Sequence, residues 1–269
     1  MLSLFDYDAT LPIKLDPIEG PSIQNVKFDS PTGNVIEAYI VTPQGEGPFP
    51  GILWVHWYEP HSPNSNRTQF LSEALALAEE GVVSLLISTM WTPVDWFSTR
   101  SLDDDHDSSI RQVIDLRRAV DVLASLPKVD VDRLGYVGHD FGAMYGAILA
   151  SLDKRLKTFI LMAGTACFSD WFLLGQKDLP DDQRQAYIEK MAKFDPVNFV
   201  GQADPASVFL QFGDNDWFVP LEKAQAFFDA AQEPKKMEVY KAQHDLDDRA
   251  RHFRRAWLRE KLGFGEAST

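Results

Sequence analysis

The sequence predicts an α/β fold, a mostly parallel central sheet with helices on both faces. Two observations lead there. After a short all-strand opening, nearly continuous apolar runs alternate with longer segments of helical periodicity, the pattern of doubly buried strands joined by helical crossovers. The stretch Arg133 to Ala150, RLGYVGHDFGAMYGAILA, then reads as strand, tight turn and helix. Gly138 and Gly142 bracket the turn. So sharp a reversal strains the backbone of the central residue, Asp140, and crowds out side chains on either side, which accounts for a glycine at both places. Asp140 is thereby pushed out of the sheet above the start of the helix.

Taken in order, residues 1–22 are rich in Pro and Asp and are expected to lie across the surface. Ile23 to Asp29 and Asn34 to Thr42 read as two strands around the turn Ser30-Pro-Thr-Gly33. Gly51 to Trp57 is a buried strand, Thr68 to Glu80 a helix ended by Gly81, and Val82 to Ile87 the next buried strand. Asp107 to Leu126 is a long amphipathic helix, and the strand leading to Asp140 follows it. Its approach, Asp103-Asp-Asp105, reads as a solvated turn and helix start. Lys157 to Met162, Ser207 to Phe212 and Lys236 to Tyr240 are the remaining strands; Leu221 to Ala231 and Asp245 to Leu262 are helices. Residues 164–204 break the rhythm, with one helical piece at Asp181 to Lys193, and are expected to form a small lid or cap on a single domain spanning 1–269.

At 269 residues and 45% hydrophobic content, the chain can bury a full core as one domain. A net charge of −14 argues against nucleic-acid or anionic-membrane partners. No apolar run has the length of a membrane span, and the N-terminal segment lacks a basic start and apolar centre. With Cys167 the single cysteine, no intrachain disulfide can form, which fits a reducing, cytoplasmic location. The partner expected is a small-molecule substrate, and oligomeric state is not legible. His61, His106 and His252 show no metal-ligand spacing, so neither metal nor cofactor is expected.

Three side chains should converge at the carboxyl ends of the strands, where such sheets hold ligands. Asp140 is the first. Downstream, Gly213-Asp-Asn-Asp216-Trp-Phe-Val-Pro220 follows a strand and offers Asp214 or Asp216; Tyr240-Lys-Ala-Gln-His244 places a histidine after the last strand. The spacing G-x-x-D-x-x-V-P resembles that of the α/β-hydrolases, in which nucleophile, acid and histidine follow one another along the chain, and this likeness implies Asp216 rather than Asp214.

With these residues in place, the chain resembles the dienelactone hydrolase-like branch of the α/β-hydrolases over nearly its whole length. The likeness rests on Phe49-Pro-Gly-Ile-Leu-Trp-Val-His56, Gly81-Val-Val-Ser-Leu-Leu86, Asp115-Leu-Arg-Arg-Ala119, Asp132-Arg-Leu-Gly-Tyr-Val-Gly-His139, Gly213 to Pro220 and Trp257-Leu-Arg-Glu-Lys-Leu262. Most of that branch are serine or cysteine hydrolases of esters and lactones. Here the nucleophile elbow carries Asp140, and Gly-His-Asp-Phe-Gly is similar to the elbow of haloalkane dehalogenases and epoxide hydrolases, which have a larger helical cap. The resemblance implies an Asp140–His244–Asp216 triad, with an oxyanion hole from the backbone of Phe141 and, by likeness to the H-G-x pattern after the strand, of Tyr58, with Trp57 next.

The chemistry also follows from the residues. A carboxylate with an unperturbed pKa of about 3.9 is already an anion at neutral pH and can attack an sp³ carbon without a base. Hydrolysis of the resulting enzyme ester needs one, and His244 oriented by Asp216 is the candidate. Attack on a substrate ester would instead give a mixed anhydride. Two other readings stay open: a binding protein with a silenced serine-esterase site, and a lyase or isomerase using Asp140 and His244 for proton transfer. His56 and His139 read as packed, hydrogen-bonded residues, and Cys167 as a small buried hydrophobe. Seven tryptophans are many for this length. Trp57, Trp91, Trp96, Trp171 and Trp217 fall on loops near the active face and are candidates to line a pocket for an apolar or aromatic substrate, or else to pack the lid. Indole N–H groups are candidates to hold a leaving halide, and Tyr58 to protonate an opening epoxide.

Overall fold

Alternating burial along each central strand divides the core into two layers. In β4, Leu53 and Val55 face one layer, Ile52 and Trp54 the other; Phe159 and Leu161 oppose Ile160 and Met162 in the same way on β7. The computed structural model describes residues 2–18 and 23–265. Its elements are β1 (Asp16–Ile18), β2 (Ile23–Asp29), β3 (Val35–Val41), β4 (Phe49–Val55), α1 (Leu71–Ala78), β5 (Val83–Ile87), α2 (Trp96–Thr99), α3 (Asp105–Ser125), β6 (Val129–His139), α4 (Phe141–Leu152), β7 (Leu156–Met162), α5 (Ser169–Phe172), α6 (Asp181–Met191), β8 (Ser207–Gly213), α7 (Leu221–Ala230), β9 (Lys235–Tyr240) and α8 (Asp248–Leu262).

The strands form one sheet in the order β1-β2-β3-β5-β4-β6-β7-β8-β9. β1 to β3 are antiparallel, as is the β3–β5 pair, and from β5 to β9 every pairing is parallel. α3 and α4 pack on one face and α1 and α8 on the other. The predicted doubly covered, mostly parallel sheet is therefore present. α3 and α4 bury their apolar stripes, and α8 is capped by Asp247, which accepts from the Ala250 N–H at 2.8 Å. Among the described residues, no helix is long and apolar enough to cross a membrane.

Three local expectations are corrected. Residues 2–18 do not simply lie on the surface. Leu2–Phe5 makes a 3₁₀ turn that buries Phe5 against Phe194 and Phe199, with ring centroids 5.4 and 6.2 Å away, and β1 adds an edge strand. A lone aromatic in a polar stretch has no periodicity to reveal it. Residues 19–22 of that expectation lie outside the described residues. Helix α3 begins at Asp105, two residues early, and Asp105 is not solvated: it is buried, pairs with Arg100 and accepts from the Tyr187 hydroxyl at 2.7 Å. Helix α1 is shorter than predicted, because the segment before Leu71 is held in turns.

The turn between β6 and α4 is as tight as the sequence requires. Asp140 has φ 57° and ψ −117°, a conformation costly for any residue but glycine. A Cβ on Gly138 would come within 2.3 Å of the Gly142 carbonyl oxygen, and one on Gly142 within 2.4 Å of the Val55 carbonyl oxygen. Both obstacles are backbone and cannot swing aside. Gly142→Ala is accordingly expected to lower unfolding free energy by at least about 3 kcal/mol. Urea denaturation measures it, and wild-type stability would show that β4 and α4 can separate at no cost.

Candidate active site

Asp140 stands fully buried at the carboxyl end of β6, beneath the loop that follows β4. The Tyr58 N–H donates to its Oδ2 at 3.0 Å. The Phe141 N–H, first in α4, also favours the anion. The two expected oxyanion donors thus surround the side chain of Asp140 itself. Its other oxygen, Oδ1, is buried and has no hydrogen-bond partner among the described residues. Burial raises the pKa of this carboxyl, opposed by His244 and the two backbone N–H groups.

His244 and Asp216 meet as the spacing predicts. The imidazole Nδ1 lies 2.8 Å from Asp216 Oδ2, while Asp216 Oδ1 accepts from the N–H groups of Phe218 (2.8 Å) and Val219 (3.1 Å). Those bonds fix the carboxylate from behind, so Nδ1 carries the proton and Nε2 is turned toward Asp140. The Asp214 side chain is exposed, accepts from the Asn215 amide and lies apart from His244, while its backbone N–H donates to the Tyr240 carbonyl at 2.8 Å. The His244 Nε2–Asp140 Oδ2 distance is 4.0 Å, and Nε2 has no hydrogen-bond partner among the described residues. Burial acts to depress the His244 pKa, but Asp140 and Asp216 outweigh it and hold the imidazolium up to a pKa of about 9.

The loop bearing Tyr58 is held from below. His56 Nδ1 donates to the Trp57 carbonyl at 2.7 Å, and its Nε2 is met by the hydroxyls of Thr89 and Thr92 at 3.0 Å each. Burial lowers its pKa to about 4, so the ring is neutral and the tautomer fixed. Because a peptide unit is planar, holding the Trp57 carbonyl also aims the Tyr58 N–H of the same plane at Asp140. His139 is likewise neutral, pushed well below the ordinary histidine range by burial. Both histidines are the packed, hydrogen-bonded residues expected. Cys167 is half-buried rather than buried, and burial, with Asp195 and Asp170 nearby, pushes its thiol up to about 12.

A cleft of about 420 Å³ opens over His244, walled chiefly by Tyr58, Phe97, Phe141, Trp171, Leu174 and Phe218. It is apolar, and α5 with the residues after it forms one side. A larger surface hollow of about 640 Å³ beside Leu2 and Phe199 contains none of Asp140, Asp216 and His244. Of the five candidate tryptophans, Trp171 borders the cleft, its ring 5.3 Å from His244 and its buried indole N–H unpartnered. The other four are corrected. Trp57 turns away and donates to Asn64, Trp91 is buried and donates to the His56 carbonyl, and Trp96 packs behind Tyr58 and Phe141. Trp217 is 81% exposed beside Phe218, outside the cleft. The Tyr58 hydroxyl is no free acid either, since it donates to the Val94 carbonyl at 2.9 Å and accepts from Phe97.

Sequence reasoning missed Phe218, Leu174 and Gln69. Phe218 follows two residues after Asp216 in the G-x-x-D-x-x-V-P loop and stands partly exposed at the rim of the cleft, its ring 5.3 Å from His244. Leu174 lies in an aperiodic stretch. Gln69 joins the site only through tertiary structure: its Oε1 accepts from the Trp57 N–H at 2.8 Å, and its Nε2 reaches His139 Nδ1 at 2.7 Å.

Solved structures share this architecture. An acetyl xylan esterase from Paenibacillus sp. R4 superposes with a TM-score of 0.77 at 19% identity, covering 97% of this chain and 91% of its own. Acetyl xylan esterase 1 from Thermoanaerobacterium sp. JW/SL YS485 gives 0.72 at 16%, covering 94% and 88%. The α/β hydrolase GrgF from Penicillium sp. sh18 gives 0.67 at 15%, covering 90% and 99%. These likenesses establish the α/β-hydrolase fold. No family model matches the chain. No curated protein matches it either.

Proposed function

We propose that the protein is a hydrolase in which Asp140 attacks an sp³ carbon of a small apolar or aromatic epoxide or haloalkane, and His244, oriented by Asp216, hydrolyses the resulting enzyme ester. One observation carries this reading: Asp140 Oδ2 occupies the oxyanion hole, 3.0 Å from the Tyr58 N–H, while Oδ1 has no partner. A hole built for a substrate's acyl oxygen would be filled by the enzyme's own carboxylate. The same hole suits the oxyanion that forms on Asp140 when water attacks its ester. This favours alkyl transfer over direct attack on esters or lactones, although solved structures of this fold include proteins named as esterases.

The protons balance for an epoxide. Oδ1 forms the new C–O bond as the ring C–O bond breaks, and the imidazolium of His244 supplies the proton taken by the ring oxygen. Alkylation removes the Asp140 charge that held the imidazole pKa near 9, so His244 is then a neutral base. It takes a proton from water attacking the ester carbonyl carbon. Collapse of the tetrahedral intermediate releases the diol and restores the Asp140 carboxylate and the imidazolium. For a haloalkane, the halide leaves as the anion and His244 must first lose its proton to solvent. A silenced site would close the ion pair to hydrogen-bond distance, whereas the gap here is 4.0 Å with Oδ1 and Nε2 both unpartnered.

A panel of epoxides, haloalkanes, esters and lactones, read by product release and intact-protein mass, tests the reading. Turnover of esters alone, with no adduct from any sp³ electrophile, would overturn it. The cleft also predicts a preference. Exposed Trp217 adjoins Phe218, whose ring lies 5.3 Å from His244 and 5.5 Å from Trp171, so an aromatic track leads outward from the base. Trp217→Ala is expected to raise KM about fivefold for substrates with a distal aryl group, the loss of roughly 1 kcal/mol of stacking. KM for short-chain substrates should not change; equal changes for both would show that Trp217 acts on the loop rather than on the substrate.

A further inference from the structure

We infer that Gln69 and His139 form a positioning clamp that holds the oxyanion-donor loop and the His244 loop at a fixed separation around Asp140. The clamp is a chain of three hydrogen bonds. The Trp57 N–H donates to Gln69 Oε1 at 2.8 Å, Gln69 Nε2 donates to His139 Nδ1 at 2.7 Å, and His139 Nε2 donates to the His244 carbonyl at 2.8 Å. Each link fixes the next. The His244 carbonyl can only accept, so His139 Nε2 carries the proton and Nδ1 must accept. That sets the Gln69 amide orientation, leaving Oε1 for the Trp57 N–H. All three donors point the same way, an arrangement in which hydrogen bonds reinforce one another.

Packing supports the same link. The Trp57 ring lies against both histidines, 5.0 Å from His139 at 22° and 6.2 Å from His244 at 10°. The elements joined are distant in sequence: the loop after β4, the segment before α1, the residue before Asp140, and the loop after β9. Neither Gln69 nor His139 borders the cleft, and His139 meets the base only through its ring, 5.2 Å from that of His244 at 31°. They act through Tyr58 and His244. An error of about 1 Å in such a site costs on the order of 10² in rate, so these three bonds set how closely the base and the oxyanion donor address Asp140.

The inference rests on Asp140 and His244 being the reacting pair, but its test needs no substrate. The His244 titration, followed by NMR in the free protein, reads the proximity of Asp140 and Asp216 directly. The other charged or titratable groups acting on His139 are His244 and Arg254. Gln69→Leu, which keeps the bulk and removes both bonds, is expected to bring the His244 pKa down by at least one from about 9. His139→Phe, which keeps the stack on Trp57, should do the same, and the double variant should go no lower than either. Gln69→Glu still accepts from Trp57 and offers a carboxylate to a protonated His139. It should lower the His244 pKa less than Gln69→Leu does, the charge on the adjacent His139 being balanced by the new carboxylate, and add a titration for His139. An unchanged His244 pKa in folded Gln69→Leu, or shifts that add in the double variant, would overturn the clamp. Should Gln69→Leu not fold, an unchanged His244 pKa in His139→Phe would overturn it instead. Where a substrate is turned over, kcat should fall about 10²-fold in Gln69→Leu with KM unchanged; a loss confined to KM contradicts positioning.

Discussion

His244→Gln is expected to convert a turned-over epoxide or haloalkane into a stable covalent adduct on Asp140. Formation of the enzyme ester consumes no base: a haloalkane needs only the Asp140 carboxylate, whose Oδ1 has no partner among the described residues, and an epoxide oxygen deprived of the His244 proton takes one from water, more slowly. Hydrolysis of the ester requires a base next to the attacking water, and removing that base slows the step by roughly 10²–10⁴. Glutamine keeps most of the imidazole's volume but cannot accept the proton. Intact-protein mass should rise by the alkyl or hydroxyalkyl group within one turnover, and peptide mapping should place it on Asp140. With wild-type enzyme in oxygen-18 water under single-turnover conditions, the label should enter the Asp140 carboxylate, since water attacks Cγ of the enzyme and not the substrate carbon. A lyase or isomerase using the same pair for proton transfer would give neither adduct nor label. Absence of both from an enzyme that turns the substrate over would remove Asp140 as nucleophile.

Much of this site was legible because it depends on sterics local in sequence. Gly138 and Gly142 around Asp140 announce a turn that admits no other residues, and the structure gives the distances that make it so. Asp216 and His244 were likewise readable, since each follows directly on a strand end. The tryptophans were not. Their type says that they bury large surfaces, but whether a loop tryptophan faces a cleft, a core or solvent depends on neighbours far away in the chain. Trp91 went to the core and stacks on Tyr145, Trp57 came to lie against both His139 and His244, and Trp217 went to solvent. Gln69 carried no signal, because its two bonds are made to residues 12 and 70 positions away. Phe5 and Asp105 were missed for the same reason, their burial being decided by Phe194, Phe199 and Tyr187 across the fold.

Asp140→Ser is expected to change the reaction rather than abolish it. The serine side chain is shorter, so the elbow is not overpacked and Oδ2 leaves the hole, freeing the Tyr58 and Phe141 N–H groups for a substrate acyl oxygen. Each such donor is worth on the order of 10²–10³ in rate. The substitution also removes one of the two carboxylates that hold His244 near a pKa of 9. Its pKa should fall toward the ordinary value of about 6.5, leaving neutral imidazole to act as base on the hydroxyl at pH 7. Hydrolysis of short p-nitrophenyl esters should therefore rise at least tenfold over wild type, whereas Asp140→Asn, which fills the hole and supplies no nucleophile, should gain nothing. The stability profile must move with it. In the wild type the folded His244 pKa is raised, so its contribution, about 3 kcal/mol, is complete below pH 6.5 and is lost as pH rises through 9. In Asp140→Ser that loss should be smaller and end at lower pH. A His244 titration that does not differ between wild type and Asp140→Ser would mean that the Asp140 charge does not reach the imidazole, and the ion pair on which the proposed proton balance depends would fail.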